Sequence, residues 1–257
     1  MFHSVYRPFF RTFADTSMLV NTNAIVLRTV KYSDRGLIVH LLTQQGNRVG
    51  ASVRLSASRR GGLRKQLFAP LNVLSVTFDN QPSKQLVAIR EASLALSYAS
   101  VHTDMVKMSI MMFLSEFLES ATRGERDNPL LYSYISQSLE WIDAATGPVA
   151  NFHLVMMIRL TRFIGFFPNT EDYRDNCFFD LRDGCYVLQM PLHHDVLLPA
   201  EARVIGTLMR LNYSNMHLFK MNREQRRRVI EVIEQYYRLH VPGFQHLKSV
   251  DVLSELF

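Results

Sequence analysis

Cysteine is almost absent from this 257-residue chain, and that absence excludes two classes at once. Cys177 and Cys185 cannot staple a secreted disulfide scaffold, and they do not fill a four-cysteine zinc site. Long apolar runs are missing too. Arg159, Thr161 and Arg162 interrupt the best one before it reaches the roughly 18 residues a membrane span needs. Residues 1–17 hold arginines and aromatics without the continuous apolar core of a secretory signal. They read as a dispensable extension, with Met18 as an alternative start and the cytoplasm as the compartment. Catalytic signatures are lacking as well. There is no Gly-x4-Gly-Lys-Ser/Thr loop, no Gly-x-Gly-x-x-Gly turn, no His-Glu-x-x-His and no Gly-x-Ser-x-Gly. The nine histidines are scattered, and His40, within a strand-like run, reads as structural. The sequence is that of a non-enzyme.

Acid is scarce in one segment only. Residues 18–98 carry eleven Lys/Arg against three acids (Asp34, Asp79, Glu91), whereas residues 99–257 carry sixteen against nineteen. The net charge of +6 therefore belongs to the front of the chain. Such a surplus attracts polyanions, nucleic acid first, with an acidic protein or membrane surface behind it.

What is present divides in two. From Asn23 the hydrophobic period is near two, in runs at 24–30, 37–43, 48–54, 71–78 and 86–90, with turn residues between them. Five short turn-linked strands predict a small closed barrel, because closure removes exposed sheet edges. After residue 98 the period becomes helical. Helices are expected over 104–120 (apolar almost all round, hence buried), 129–145, 151–164, 199–211 and 222–240, the last opened by an Asn222-x-x-Gln225 capping box. Residues 169–195 are polar and read as an irregular insertion. The organisation is an extension at 1–17, a barrel at 18–98 and a helical part at 99–257, an α+β chain.

The segment from Arg54 to Lys65 carries five cations, two glycines and no acid. Arg54, Arg59, Arg60, Arg64 and Lys65 are charge-assisted phosphate donors, and glycines let backbone N–H groups approach a ligand. Arg28, Lys31, Arg35 and Arg48 of the same barrel extend the site. A loop of this kind grips phosphates with salt-sensitive, sequence-blind affinity. Aromatics are few between 22 and 98 (Tyr32, Phe68, Phe78, Tyr98), so electrostatics should dominate over stacking. The cluster Arg223, Arg226, Arg227, Arg228 reads as a solvated helix face supported by four-residue pairings with Glu224 and Glu231. Cys177, Cys185 and the His193-His194 pair could suggest zinc, but the spacing lacks a C-x2-C knuckle and the neighbours look like packing residues. Met105, Met108, Met111, Met112, Met156 and Met157 read as core.

In combination these pieces resemble the bacterial DNA repair and recombination RecO family. The residues that carry the likeness are Ala24 to Thr43, with its Ser33-Asp34 turn; Gly46 and the basic loop; Leu67-Phe-Ala-Pro-Leu71; Leu160 to Pro168; Phe179 to Gly184; and His246 to Leu253. The match spans about residues 18–254. It implies an oligonucleotide-binding (OB) barrel followed by a helical domain. It also implies binding of single- and double-stranded DNA, annealing of complementary strands, and recombinase loading with RecR and single-strand-binding protein. The carboxylate-ended tail of that last partner would sit in an apolar groove with Arg159 and Arg162 on its rim. Many relatives carry four cysteines as a zinc site. Only two stand here, so no cofactor is expected and the insertion should be held by its aromatics. The alternative is an OB-fold interaction module that binds RNA or an acidic protein.

Overall fold

A computed structural model describes residues 18–56, 62–80, 85–250 and 253. The predicted extension at 1–17 and two of the predicted phosphate ligands, Arg59 and Arg60, lie outside the described residues.

The front of the chain is a closed five-stranded barrel: β1 (Met18–Lys31), β2 (Gly36–Thr43), β3 (Arg48–Arg54), β4 (Val73–Asn80) and β5 (Val87–Leu94), ordered β1-β2-β3-β5-β4. All neighbours pair antiparallel except β3 with β5. Alternation puts Ala24, Val26, Leu37, Val39, Leu41, Ala51, Val53, Leu74 and Val76 inside, and Leu63 and Phe68 close the interior from the segment between β3 and β4. β1 runs six residues earlier than the alternating pattern predicts, and β5 continues through Leu94. Met18, Leu19 and Leu94 are largely exposed, so these stretches pair by backbone without showing a buried face in sequence.

Among the described residues, five α-helical elements follow: α1 (Met105–Ala121), α2 (Pro129–Ala144), α3 (Phe152–Leu160), α4 (Pro199–Arg210) and α5 (Arg223–His240). Side-chain caps set the starts of α1, α2 and α5, and Pro199 opens α4 without one. Asp104 accepts from the amides of Val106 and Lys107, Asn128 accepts from Leu131, and Asn222 and Gln225 exchange both bonds of a capping box. α1 is not buried all round as expected, because Met105, Met108 and Met112 face out while Met111, Met156 and Met157 lie in the core. α3 stops at Leu160, where Thr161 turns its hydroxyl back to the Ile158 carbonyl.

The stretch read as irregular contains a small sheet of β6 (Phe178–Asp180), β7 (Cys185–Val187) and β8 (Val196–Leu197), in the order β7-β6-β8. Strands of two or three residues cannot display a period. Their packing is aromatic: Tyr186 meets Tyr173 and Phe179 edge-on at 5.2 and 5.1 Å, and its hydroxyl donates to the Ala202 carbonyl. Asp195 accepts from Arg182 and Gln235, tying the sheet to α5.

Barrel and helices share one core. Ile25, Leu27, Leu42, Leu71 and Val73, on the barrel's outer wall, belong to the same apolar cluster as the helical core. The β2–β3 turn seats against the start of α2: Gly46 has φ 79°, and a Cβ there would lie 2.1–2.3 Å from backbone atoms of Asn128, so glycine is required twice over. Beside it, Asn47 and Asp127 exchange two hydrogen bonds of 3.0 Å.

One buried titratable group couples this core to pH. His153 on α3 is fully buried, edge-on to Phe113, and burial, reinforced by the positive charge of Arg226, pushes its pKa down to about 3. Unfolded, it titrates near 6.5. Between those values only the unfolded chain takes up the proton, so stability is held above pH ~6.5 and falls with acid by about 1.4 kcal/mol per unit. From pH 6.5 to 5 the loss from this residue should be about 2 kcal/mol. Urea unfolding of the wild type and of His153→Leu at both pH values should show a smaller acid loss in the variant; equal losses would remove His153 as the cause.

Candidate nucleic-acid interface

The turn between β1 and β2 and the exit from β3 meet at the end of the barrel remote from the Gly46 turn. Tyr32 and Ser33 both donate their amides to the Gly36 carbonyl, closing a tight loop. Gly36 pairs with Arg54 across β2 and β3, Leu55 donates its amide to the Arg35 carbonyl, and Ser56 donates to the Leu63 carbonyl. This last bond folds the chain back on itself, so residues 54–56 lie beside 62–64, and Arg59 and Arg60 fall in the connection between them. Arg35, Arg54, Arg64 and Lys65 are all exposed at this end, with Lys31 one residue before the loop and Arg28 exposed farther along β1. Lys31 meets Asp34 at 3.6 Å, but both side chains are largely solvated, so the pairing removes little of the local field.

Arg48 is not part of this group. It begins β3, six residues or roughly 20 Å from Arg54. There its guanidinium donates to the Glu119 carboxylate at 2.6 Å and to the Glu119 carbonyl at 2.7 Å. His40 Nδ1 engages the other carboxylate oxygen at 2.8 Å. Arg48 therefore serves the joint between barrel and α1 instead of lining the approach. Arg90 is likewise occupied, by Asp79 on the neighbouring strand.

The aromatics sort as clearly. Phe68 and Phe78 are barrel core, and Tyr98 is mostly buried with its hydroxyl on the Leu71 carbonyl; burial pushes its pKa well above the usual tyrosine range. Tyr32 is 62% exposed, with its ring resting over Gly36. Sequence reasoning placed it in a turn and gave it no role. Its signal was the Tyr-x-x-x-Gly spacing, which carries meaning only once the loop geometry is known.

Of the two helical arginines assigned to a partner groove, Arg159 donates two hydrogen bonds (2.9 and 2.8 Å) to the Leu211 carbonyl and so finishes α4. Arg162 is exposed and lies over the Phe167 ring at 3.9 Å. The clearest apolar groove is elsewhere, about 540 Å³ between α4 and α5, with Val204, Ile205, Leu208, Phe219 and Val229 in its walls. Across it, Arg228 of α5 reaches Glu201 of α4 at 2.6 Å as well as Glu231 of its own helix. Arg226, expected on a solvated face, turns inward to Asn151 and the Met221 carbonyl.

No cluster of three or more His, Cys, Asp or Glu side chains fit to hold a metal occurs among the described residues. Cys177 is buried just before β6 and Cys185 is half-buried on β7, where it pairs with Asp180; both are free thiols. His193 spends Nε2 on Asp180 at 3.1 Å. The residues present do not fit a zinc ribbon. No described helix is long and apolar enough to cross a membrane.

Comparison with known proteins places this geometry. A family model described as "Recombination protein O N terminal" matches residues 18–98, and one described as "Recombination protein O C terminal" matches residues 102–250. Proteins named "DNA repair protein RecO" are similar along nearly the whole chain. That of Phocaeicola vulgatus is 43% identical over 240 residues, that of Bacteroides fragilis 40% over 241, and that of Porphyromonas gingivalis 33% over 244. Each alignment covers 93% of this chain and 100% of the relative. With a five-stranded OB-type barrel, a helical body behind it, and both halves matched in order, the chain belongs to the RecO family.

Proposed function

We propose that the protein is a non-enzymatic DNA-binding mediator of DNA repair and recombination, acting in the cytoplasm on the nucleoid. The observation that carries this reading is the gathering of Lys31, Arg35, Arg54, Arg64 and Lys65 at one solvated end of an OB-type barrel. Phosphates of single- or double-stranded DNA bind there by release of counterions, which needs no base sequence. Two complementary strands held at one cationic surface have their mutual repulsion screened, and annealing follows. RecR and the single-strand-binding protein are the protein partners that family membership suggests. For the tail of the latter, the α4–α5 groove offers an apolar floor with Lys220 beside it, while Arg228 is held by Glu201 and Glu231 and Arg159 is spent on Leu211.

The second reading, an interaction module for RNA or an acidic protein, rests on the same charge. A competition assay separates them. Labelled single-stranded DNA should be displaced by unlabelled DNA far better than by equal charge of a polyanionic protein, and complementary strands should anneal faster in the protein's presence. Displacement by every polyanion alike, without annealing, would favour the interaction module.

We also propose that the β6–β8 insertion works without zinc, its place taken by Tyr186, Phe179 and the Asp195 bonds to Arg182 and Gln235. Metal analysis of the purified chain should find well under one zinc per molecule. One equivalent, together with a fall in melting temperature on chelation, would reverse this.

A further inference from the structure

We propose that Tyr32 is a stacking platform for one nucleobase, so that this barrel favours single strands over duplex at a single residue. The inference rests on the nucleic-acid reading above and adds to it a contact that charge cannot supply. Tyr32 is the one aromatic of the described barrel left open, at 62% exposure, and it stands between Lys31 and Arg35 with Arg54 on the facing strand. Its ring has a built seat. A Cβ on Gly36 would lie 2.5 Å from ring atoms Cε1 and Cζ, and equally close to Ser33 Oγ, so only glycine lets the ring settle there. The loop that presents it is closed by the amides of residues 32 and 33 on the Gly36 carbonyl, which limits the order lost on binding.

Phosphates gripped by Arg35 and Arg54 bring the attached bases within reach of this ring. A base in a single strand can give a face to it, and stacking of this kind accepts any base. Inside a duplex both faces of every base are covered by neighbouring pairs, and only the outer faces of the two end pairs stay open. Selection for single strands therefore follows from geometry without reading sequence.

The test uses the whole chain with three ligands of equal length: an oligothymidylate, the same backbone with abasic sites throughout, and a blunt duplex. Tyr32→Leu should weaken oligothymidylate binding about tenfold and leave the abasic strand and the duplex unchanged. Tyr32→Phe should keep wild-type affinity. Gly36→Ala retains every charge and every ring but evicts the ring from its seat, and it should lose affinity for the oligothymidylate in the same direction. Equal oligothymidylate binding by wild type and Tyr32→Leu would overturn the platform while leaving the phosphate site standing. A matching loss on all three ligands would overturn it too, by assigning Tyr32 to loop structure. Failure of the wild type to bind any of the three would remove the nucleic-acid reading itself.

Discussion

Replacing Arg54, Arg64 and Lys65 together by alanine should weaken DNA binding roughly a hundredfold near 0.1 M salt and flatten the salt dependence. The effect is additive in phosphates. Each cation that neutralises one phosphate releases its condensed counterions and contributes about 0.9 to the slope of log affinity against log salt on duplex, or about 0.7 on single strands. Three lost contacts should therefore lower the slope by about 2 to 3, equally on unrelated sequences. The three side chains are exposed and contribute nothing to either apolar core, so folding should be untouched. Arg48→Ala is the matched control. It removes one cation from the same barrel, but that guanidinium is bound to Glu119, so the variant should lose stability while its slope stays at the wild-type value. Titrations at two salt concentrations with an unchanged slope in the triple variant would take this end of the barrel out of the site.

The largest effect on stability is expected at Glu119. Its carboxylate takes Arg48 on one oxygen and His40 on the other, and the Arg48 and Glu119 side chains are only 14% and 11% exposed. Removing one partner of so sheltered a pair leaves the other charge without its counterpart, which costs about 3–5 kcal/mol. Glu119→Ala should accordingly lower the melting temperature by roughly 10 °C in a chain of this size. The double change Arg48→Met with Glu119→Leu fills the site with apolar atoms and should recover most of that loss, since a buried pair is seldom better than well-packed hydrocarbon. A Glu119→Ala variant that melts with the wild type would show that the Arg48 guanidinium is satisfied by water once the carboxylate is gone, and that the pair adds nothing to stability. Either outcome leaves the basic end of the barrel unaltered, so stability and DNA affinity are separable by these two sets of variants.

The barrel was legible in its central strands. In β2, Leu37, Val39 and Leu41 are buried and alternate with the half-buried Ile38 and His40. Ala24 to Leu27 of β1 are instead buried on both faces, Ala24 and Val26 in the barrel and Ile25 and Leu27 against the helices, around the bulge between Val26 and Arg28. The strand ends were not legible, because Met18 to Asn21 and Glu91 to Leu94 pair through their backbones with both faces largely solvated. Composition located the cationic region, since a surplus needs no register to be counted. It could not assign Arg48, whose place depends on which end of β3 faces the helices and on a glutamate 71 residues away. The same distance problem hid Arg159, whose bonds go to Leu211, and Arg226, which reaches Asn151. The polar look of residues 169–195 concealed strands too short to carry a period, although the aromatics there did point to how they would pack.

The five barrel residues that merge with the helical cluster make the linker near residues 95–103 a divide in topology and not in cooperativity. Cutting there would strip a continuous oily flank from both pieces, so the halves have reason to melt together in a single transition. Under the proposed function, a load applied by a strand at the cationic tip would be borne by the entire molecule, and a partner docked on the helices would hold a fixed orientation to that strand.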